Sequence, residues 1–231
     1  MKVELLNGRV TIALHRLREA ADPQAPTLLL LHELGGSADD WKGETLDWSG
    51  PVFALDFTGH GDSGWLRSSA YYPELFLMDA DVAHKHIEST GARESCLLGR
   101  GIGGYAGLLL AGARPDRIRA AAVLPGAGLA GGGNEPGEFE QLRPLKSRGD
   151  PQRDSFDPRV SICDEHARPS EYVGSFAARN RSLHLAKPSG ALPSWWSAAC
   201  EGGTRHCEPT AKAALAALAA APAIPSEALP A

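Results

Sequence analysis

Three groups of residues in this chain could do chemistry. The run CLLGRGIGGYAGLLLAG, residues 96–112, spells G-x-G-x-x-G at Gly99, Gly101 and Gly104, between an apolar strand-like segment and a helix-like one. Glycines in that setting either cradle a dinucleotide phosphate or form a sharp turn that lifts one side chain above a sheet edge. The pair His32-Glu33 ends the apolar segment TLLLLHE, just before Leu34, Gly35 and Gly36. His206, in TRHCEPT, precedes an alanine-rich final segment. An imidazole and a carboxylate are the commonest proton carriers in general acid–base chemistry.

The glycines are arbitrated by their neighbours. A dinucleotide site needs its turn after the first strand of the fold, and an acid about 20 residues on at the tip of the next strand. Here the next strand-like segment ends AVLPGAG without a carboxylate, and several strand-like segments precede the motif. A phosphate cradle is therefore disfavoured, and no cofactor is implied.

Three linked motifs remain: LLHELGGSADDW, ALDFTGHGDSG and LLGRGIGGYAGLLLAGARP. In this order and spacing the chain resembles the α/β-hydrolase superfamily from about Thr27 to Val123, roughly half its length. The resemblance implies that the first loop helps to form an oxyanion hole, the second shapes the site wall and the third carries the nucleophile. Carried over by position, the nucleophile falls on Gly101, and no serine is there. Glycine tolerates the strained angles of such a turn, so the fold survives while serine-based acyl transfer at this position does not.

Other parts of the machinery are altered as well. The first loop reads His32-Glu33 where the family has His-Gly, and a carboxylate beside an oxyanion hole opposes the charge the hole stabilises. The backbone N–H groups of Leu34 and Ile102 are still expected to point into the pocket. The family's acid has no clear counterpart: the segments AAVLPG and LHLAKPSG end without one. Asp164 or Glu165 would serve only if RVSIC were a strand, whereas Phe156, Val160 and Cys163 recur at helical spacing. His206 matches the family's histidine by location alone, and a surface histidine at a strand end is the plainer reading. His32 reads as a hydrogen-bonded structural histidine that could border the ligand, and Arg100 faces either solvent or an anionic ligand. Ser37 caps the next helix, and Asp62 and Ser63 belong to turn chemistry.

The elements that must position these groups follow the pattern of a sheet covered on both faces by crossover helices. KVELLNGRVTIALHRL predicts a hairpin turning at Asn7-Gly8. TLLLL, VFALDF, SCLLG, RAAAVL, SLHLAK and TRHCE predict further strands, giving a mostly parallel sheet of about eight with little or no lid. Helices are expected over Tyr72–Thr90, Ile102–Ala113, Glu171–Asn180, Pro193–Cys200 and the segment PTAKAALAALAAA. His84 and His86 are expected on the outer face of the first of these, and at least one of Trp195 and Trp196 in the core. Residues 126–157 read as an irregular surface excursion, 1–221 as one domain, and 222–231 as a frayed tail.

Composition narrows the partners. With 231 residues, 43% of them hydrophobic, the chain can build one full-sized core. Its net charge of −5, from interspersed acids and bases, offers no basic face for nucleic acid. No secretory pattern opens the sequence and no apolar run spans a bilayer, so a cytoplasmic protein is expected. The four cysteines read as reduced thiols, and neither Cys163/His166 nor Cys200/His206/Cys207 has the paired spacing of a metal knuckle, so no metal is implied. Two functions remain: a non-catalytic homologue that binds a small organic molecule in the ancestral pocket, or a non-covalent acid–base enzyme with Glu33 and His206 as its titrating pair.

Overall fold

A computed structural model describes residues 1–22, 24–44, 47–66, 71–133 and 155–225. The amino-terminal hairpin pairs β1 (Lys2–Asn7) with β2 (Val10–Arg18) in the register Asn7↔Val10, and Gly8 supplies the left-handed φ of +61° that its tight turn needs. Next come β3 (Thr27–Leu31), β4 (Val52–Asp56), helix α1 (Pro73–Ser89), β5 (Ser95–Arg100), α2 (Ile102–Ala113) and β6 (Ile118–Leu124). A 3-10 turn over Pro158–Glu165, α3 (Ser170–Ala177), β7 (Leu183–Ala186), α4 (Trp196–Glu201), β8 (Arg205–Cys207) and α5 (Ala211–Ala219) complete the order.

The strands form one eight-stranded sheet in the order β1-β2-β4-β3-β5-β6-β7-β8, parallel except where β2 pairs β1 and β4. Every residue of β3 and β4 is buried, because the sheet is covered on both sides. Alternation divides β3 between two cores: Leu29 and Leu31 face α1–α4, and Leu28 and Leu30 face α5 and Trp41. Each such leucine contributes roughly 2 kcal/mol of burial, so these strands hold the frame on which the loops sit. No helix among the described residues is long and apolar enough to cross a membrane.

The structure corrects some expectations. The segment after Ser37 is only a 3-10 turn, Ala38–Trp41, although Ser37 caps it with a full capping box through Asp40. The RVSIC segment is also 3-10 and not a strand, and Asp164 and Glu165 are exposed at its end. Both Trp195 and Trp196 are buried. Beyond α5 the chain stays docked: Ile224 is buried and its N–H donates to Glu94, while 226–231 and most of the expected excursion, 134–154, lie outside the described residues.

His84 is the plainest reversal. The buried face of α1 runs through Phe76, Asp79, Ala80, Ala83, His84 and Ile87, so the helical phase carries a histidine and an aspartate inward with the apolar residues. Asp79 is satisfied by Asn7 Nδ2 at 2.7 Å and by the N–H and hydroxyl of Thr58, yet burial still raises its pKa to about 6. The His84 ring has no hydrogen-bond partner, its nearest carboxylate being Glu88 at 3.6 Å, and burial lowers its pKa to about 4. The two groups act in opposite directions on stability. Asp79 favours the folded state fully below its unfolded pKa, and this is lost as pH rises through about 6. The lowered His84 favours it above pH 6.5, and this is lost as pH falls through about 4. His84→Leu is expected to raise stability by about 1–2 kcal/mol at pH 7, since an orphaned polar group leaves the core, and to shallow the fall in melting temperature between pH 6.5 and 4. Thermal melts across that range check both.

Candidate functional site

The glycines of the opening motif serve a close approach of backbone to backbone. A β-carbon at Gly99 would overlap the carbonyl of Gly103, and one at Gly103 would overlap the carbonyls of Leu31 and His32. Helix α2 therefore lies directly on β3 and β5, with its amino terminus beneath the loop that follows β3. Between strand and helix, Gly101 sits at φ +56°, ψ −127°, in the region that side chains rarely adopt. The strand-to-helix turn thus has an angle that glycine alone adopts readily.

Two buried histidines hold the surrounding loops. Phe57 N–H donates to His32 Nε2 at 3.1 Å, so the proton lies on Nδ1, which donates to the carbonyl of Glu33 at 2.7 Å. His60 repeats the pattern, accepting from Gly35 N–H at 3.1 Å through Nε2 and donating from Nδ1 to the Thr58 carbonyl at 3.2 Å. Burial lowers the pKa of His32 to about 4 and of His60 to about 3, and their rings lie 4.8 Å apart, so both stay neutral. His32 has no ring nitrogen left for a ligand or for catalysis. His60 was hidden in the GHG motif, where nothing marks it as the counterpart of His32.

Asp56 ties the same loops from below. Its carboxylate accepts from Ala38 N–H at 2.6 Å, Asp62 N–H at 2.9 Å and His15 Nε2 at 2.8 Å, and Ser63 Oγ donates to its carbonyl. Among the described residues, His15, Asp56 and Asp62 are the group that could gather on a metal, within 4.8 Å of one another. Their oxygens are already engaged by these bonds and by Lys2, 3.2 Å from Asp62, which fits a turn-holding network. The four cysteines are free.

The centre of the site is occupied by the chain itself. Leu34 N–H and Ile102 N–H converge on one acceptor, the carbonyl oxygen of Ala127, at 3.2 and 2.9 Å. Ala127 N–H donates in turn to Glu33 Oε2 at 2.7 Å. The segment after β6 thus folds back over the elbow. A β-carbon at Gly101 would strike the Ala127 carbonyl and lie 2.8 Å from Glu33 Cβ. Sequence reasoning missed this cap; its one signal was the Pro-Gly-Ala-Gly run at the end of β6, which allows backbone to approach closely.

Leu34, Gly101, Ile102 and Glu33 therefore meet at one point; the stem of Arg100 passes beside them at Gly126 with its guanidinium turned to other partners, and His206 does not join them. The Arg100 guanidinium pairs with Glu44 at 2.8 Å and lies over the Trp41 ring. His206 is exposed within β8, an edge strand, and stacks on Trp196 at 6.3 Å. Three strands separate β8 from β3, about 19 Å at ordinary strand spacing. Among the described residues no hydrogen bond or ion pair links His206 to Glu33.

By sequence, no family model and no curated protein matches the chain. Its three-dimensional likenesses are extensive. A hypothetical protein of Pseudomonas aeruginosa PAO1 superposes with a TM-score of 0.65 at 16% identity, over 94% of this chain and 96% of that one. A structure from work on carboxylesterases of the thaumarchaeon Nitrososphaera gargenis gives 0.63 at 12%, over 94% and 92%. An alpha/beta hydrolase from Novosphingobium aromaticivorans gives 0.62 at 16%, over 89% and 88%. The chain has the α/β-hydrolase fold, with an eight-stranded, mostly parallel sheet.

Removing the Glu33 carboxylate should release the cap without unfolding the protein. Glu33→Ala is expected to cost about 1 kcal/mol and to speed hydrogen exchange at Leu34, Ile102 and Ala127 by roughly tenfold, leaving α1 and the central strands unchanged. Residue-resolved amide exchange checks it.

Proposed function

We propose that this chain is a non-catalytic protein of α/β-hydrolase fold that holds a small organic molecule at the elbow instead of cleaving one. The observation that carries this reading is the Ala127 carbonyl seated where the amides of Leu34 and Ile102 converge, above a tip with no side chain. Acyl transfer needs those donors unengaged, aimed at the oxygen that becomes charged. It also needs a nucleophile and a base, and Gly101 supplies neither while the His32 ring is consumed in holding loops. The four free cysteines agree with a reducing compartment, and we place the protein in the cytoplasm.

A fluorophosphonate probe is expected to leave the native protein unlabelled, and p-nitrophenyl acetate should hydrolyse no faster than in buffer. Gly101→Ser is expected to restore no activity and to lower stability by about 2 kcal/mol or more, because a side chain there is strained in φ and meets Ala127. Specific labelling that vanishes on denaturation, or turnover by the unsubstituted protein, would overturn the reading.

A further inference from the structure

Ala127 is gripped through both of its own backbone groups: its N–H by the Glu33 carboxylate and its carbonyl by the amides of Leu34 and Ile102. The surroundings are thus complementary to one arrangement, an N–H donor and a carbonyl acceptor attached to the same carbon, which is the repeating unit of a peptide. Ala127 is itself exposed, so the position it fills opens onto solvent.

Two features of the covering segment bear on its release. Residues 125–133, PGAGLAGGG, contain Gly126, Gly128, Gly131, Gly132 and Gly133, and ordering so many glycines is costly in backbone entropy. Leu129 is its buried side chain, and the Leu129 carbonyl accepts from Trp195 Nε1 at 3.3 Å. The far end is tied by Gly132 N–H to the His166 carbonyl at 2.9 Å and by Arg168 N–H to the Gly133 carbonyl at 2.6 Å, so lifting must break these bonds as well. Beneath the segment lies Arg168, wholly buried, with Nε and Nη1 unpartnered and with Nη1 so near Gly131 that no β-carbon would fit. Its nearest compensations are the Tyr105 ring, 4.9 Å away, and a 3.4 Å bond from Nη2 to the carbonyl of Cys163. A guanidinium covered in this way carries a desolvation cost that is relieved when water reaches it, which favours lifting of the segment.

We propose that Ala127 is an internal stand-in for a ligand, and that with residues 125–133 lifted the site binds peptide-like α-amido carbonyl compounds. The ligand carbonyl takes the amides of Leu34 and Ile102, and its α-nitrogen N–H donates to Glu33. This rests on the binding role proposed above and gives Glu33 a purpose: a carboxylate that would oppose an oxyanion is the fitting receptor for an N–H. No bond is made or broken. The competing occupant is tethered, with an effective concentration in the millimolar range or higher, so the affinity for a free ligand is weak.

The test is a titration followed by amide NMR, with N-acetyl-L-alanine methylamide as probe and its analogue methylated on the α-nitrogen as control. Saturable shifts of Leu34, Gly101 and Ile102 are expected with a dissociation constant of about 10 mM, and at least about tenfold weaker binding of the control. Leu129→Ala, which loosens the anchor of the cap, should tighten the probe by about tenfold. Glu33→Gln, a milder change whose amide can still accept, should retain the fold and narrow the gap between probe and control. Unmoved signals up to about 50 mM in both the original protein and Leu129→Ala, or equal binding of the control, would overturn the proposal. Should Leu129→Ala fail to fold, the original protein and Glu33→Gln decide by the same criteria. The same spectra follow the probe itself: binding with cleavage would overturn the non-catalytic reading and leave the ligand class standing, whereas no binding and no cleavage would do the reverse.

Discussion

The structure around the elbow depends on how closely α2 lies against the central strands. Only hydrogen atoms separate Gly99 from the Gly103 carbonyl, and Gly103 from the carbonyls at the end of β3. Such contact needs positions without a β-carbon, and it brings the first turn of α2 beneath the loop that begins at His32. The amides of Leu34 and Ile102 then come near enough to share one acceptor. With wider packing, neither the convergent donors nor the cap would exist.

Around that point the loops are held by side chains that bond to backbone. The loops are tied by His32 and His60, both kept neutral by burial, each donating from one nitrogen and accepting at the other. Asp56 gathers the same loops by accepting backbone N–H groups. Glu33 stands out, since its carboxylate is half-buried beside donors that would otherwise welcome an anion. Taking the Ala127 N–H turns that conflict into a contact, and the cap becomes part of the site's hydrogen bonding. The α/β-hydrolase fold here closes over the elbow with backbone from its own chain.

Much of the frame was legible in the sequence because local signals and tertiary demands agree there. Asn7-Gly8 makes the hairpin, Pro73 opens α1 and Gly91 follows its end, and the leucine run of β3 is buried on both faces. Where local and tertiary demands differ, the reading failed. His84 looks polar in sequence yet falls on the inward phase of α1, and the ion pair of Arg100 with Glu44, a residue more than fifty positions earlier, has no local signal. The helical spacing of Phe156, Val160 and Cys163 correctly opposed a strand but could not tell an α-helix from 3-10.

By itself the sequence determined the layered α/β architecture, the elbow and the absence of a serine at its tip, since these rest on local pattern and on the residue at position 101. It also singled out Glu33 and the amides of Leu34 and Ile102, though as groups facing a pocket and with His206 as Glu33's partner. The tertiary structure alone decided what fills the space between them. The Ala127 carbonyl reaches the two amides across a separation of 93 residues on one side and 25 on the other, along a glycine-rich segment with no periodicity of its own. Contacts of that range are set by packing of whole elements, and no local pattern encodes them.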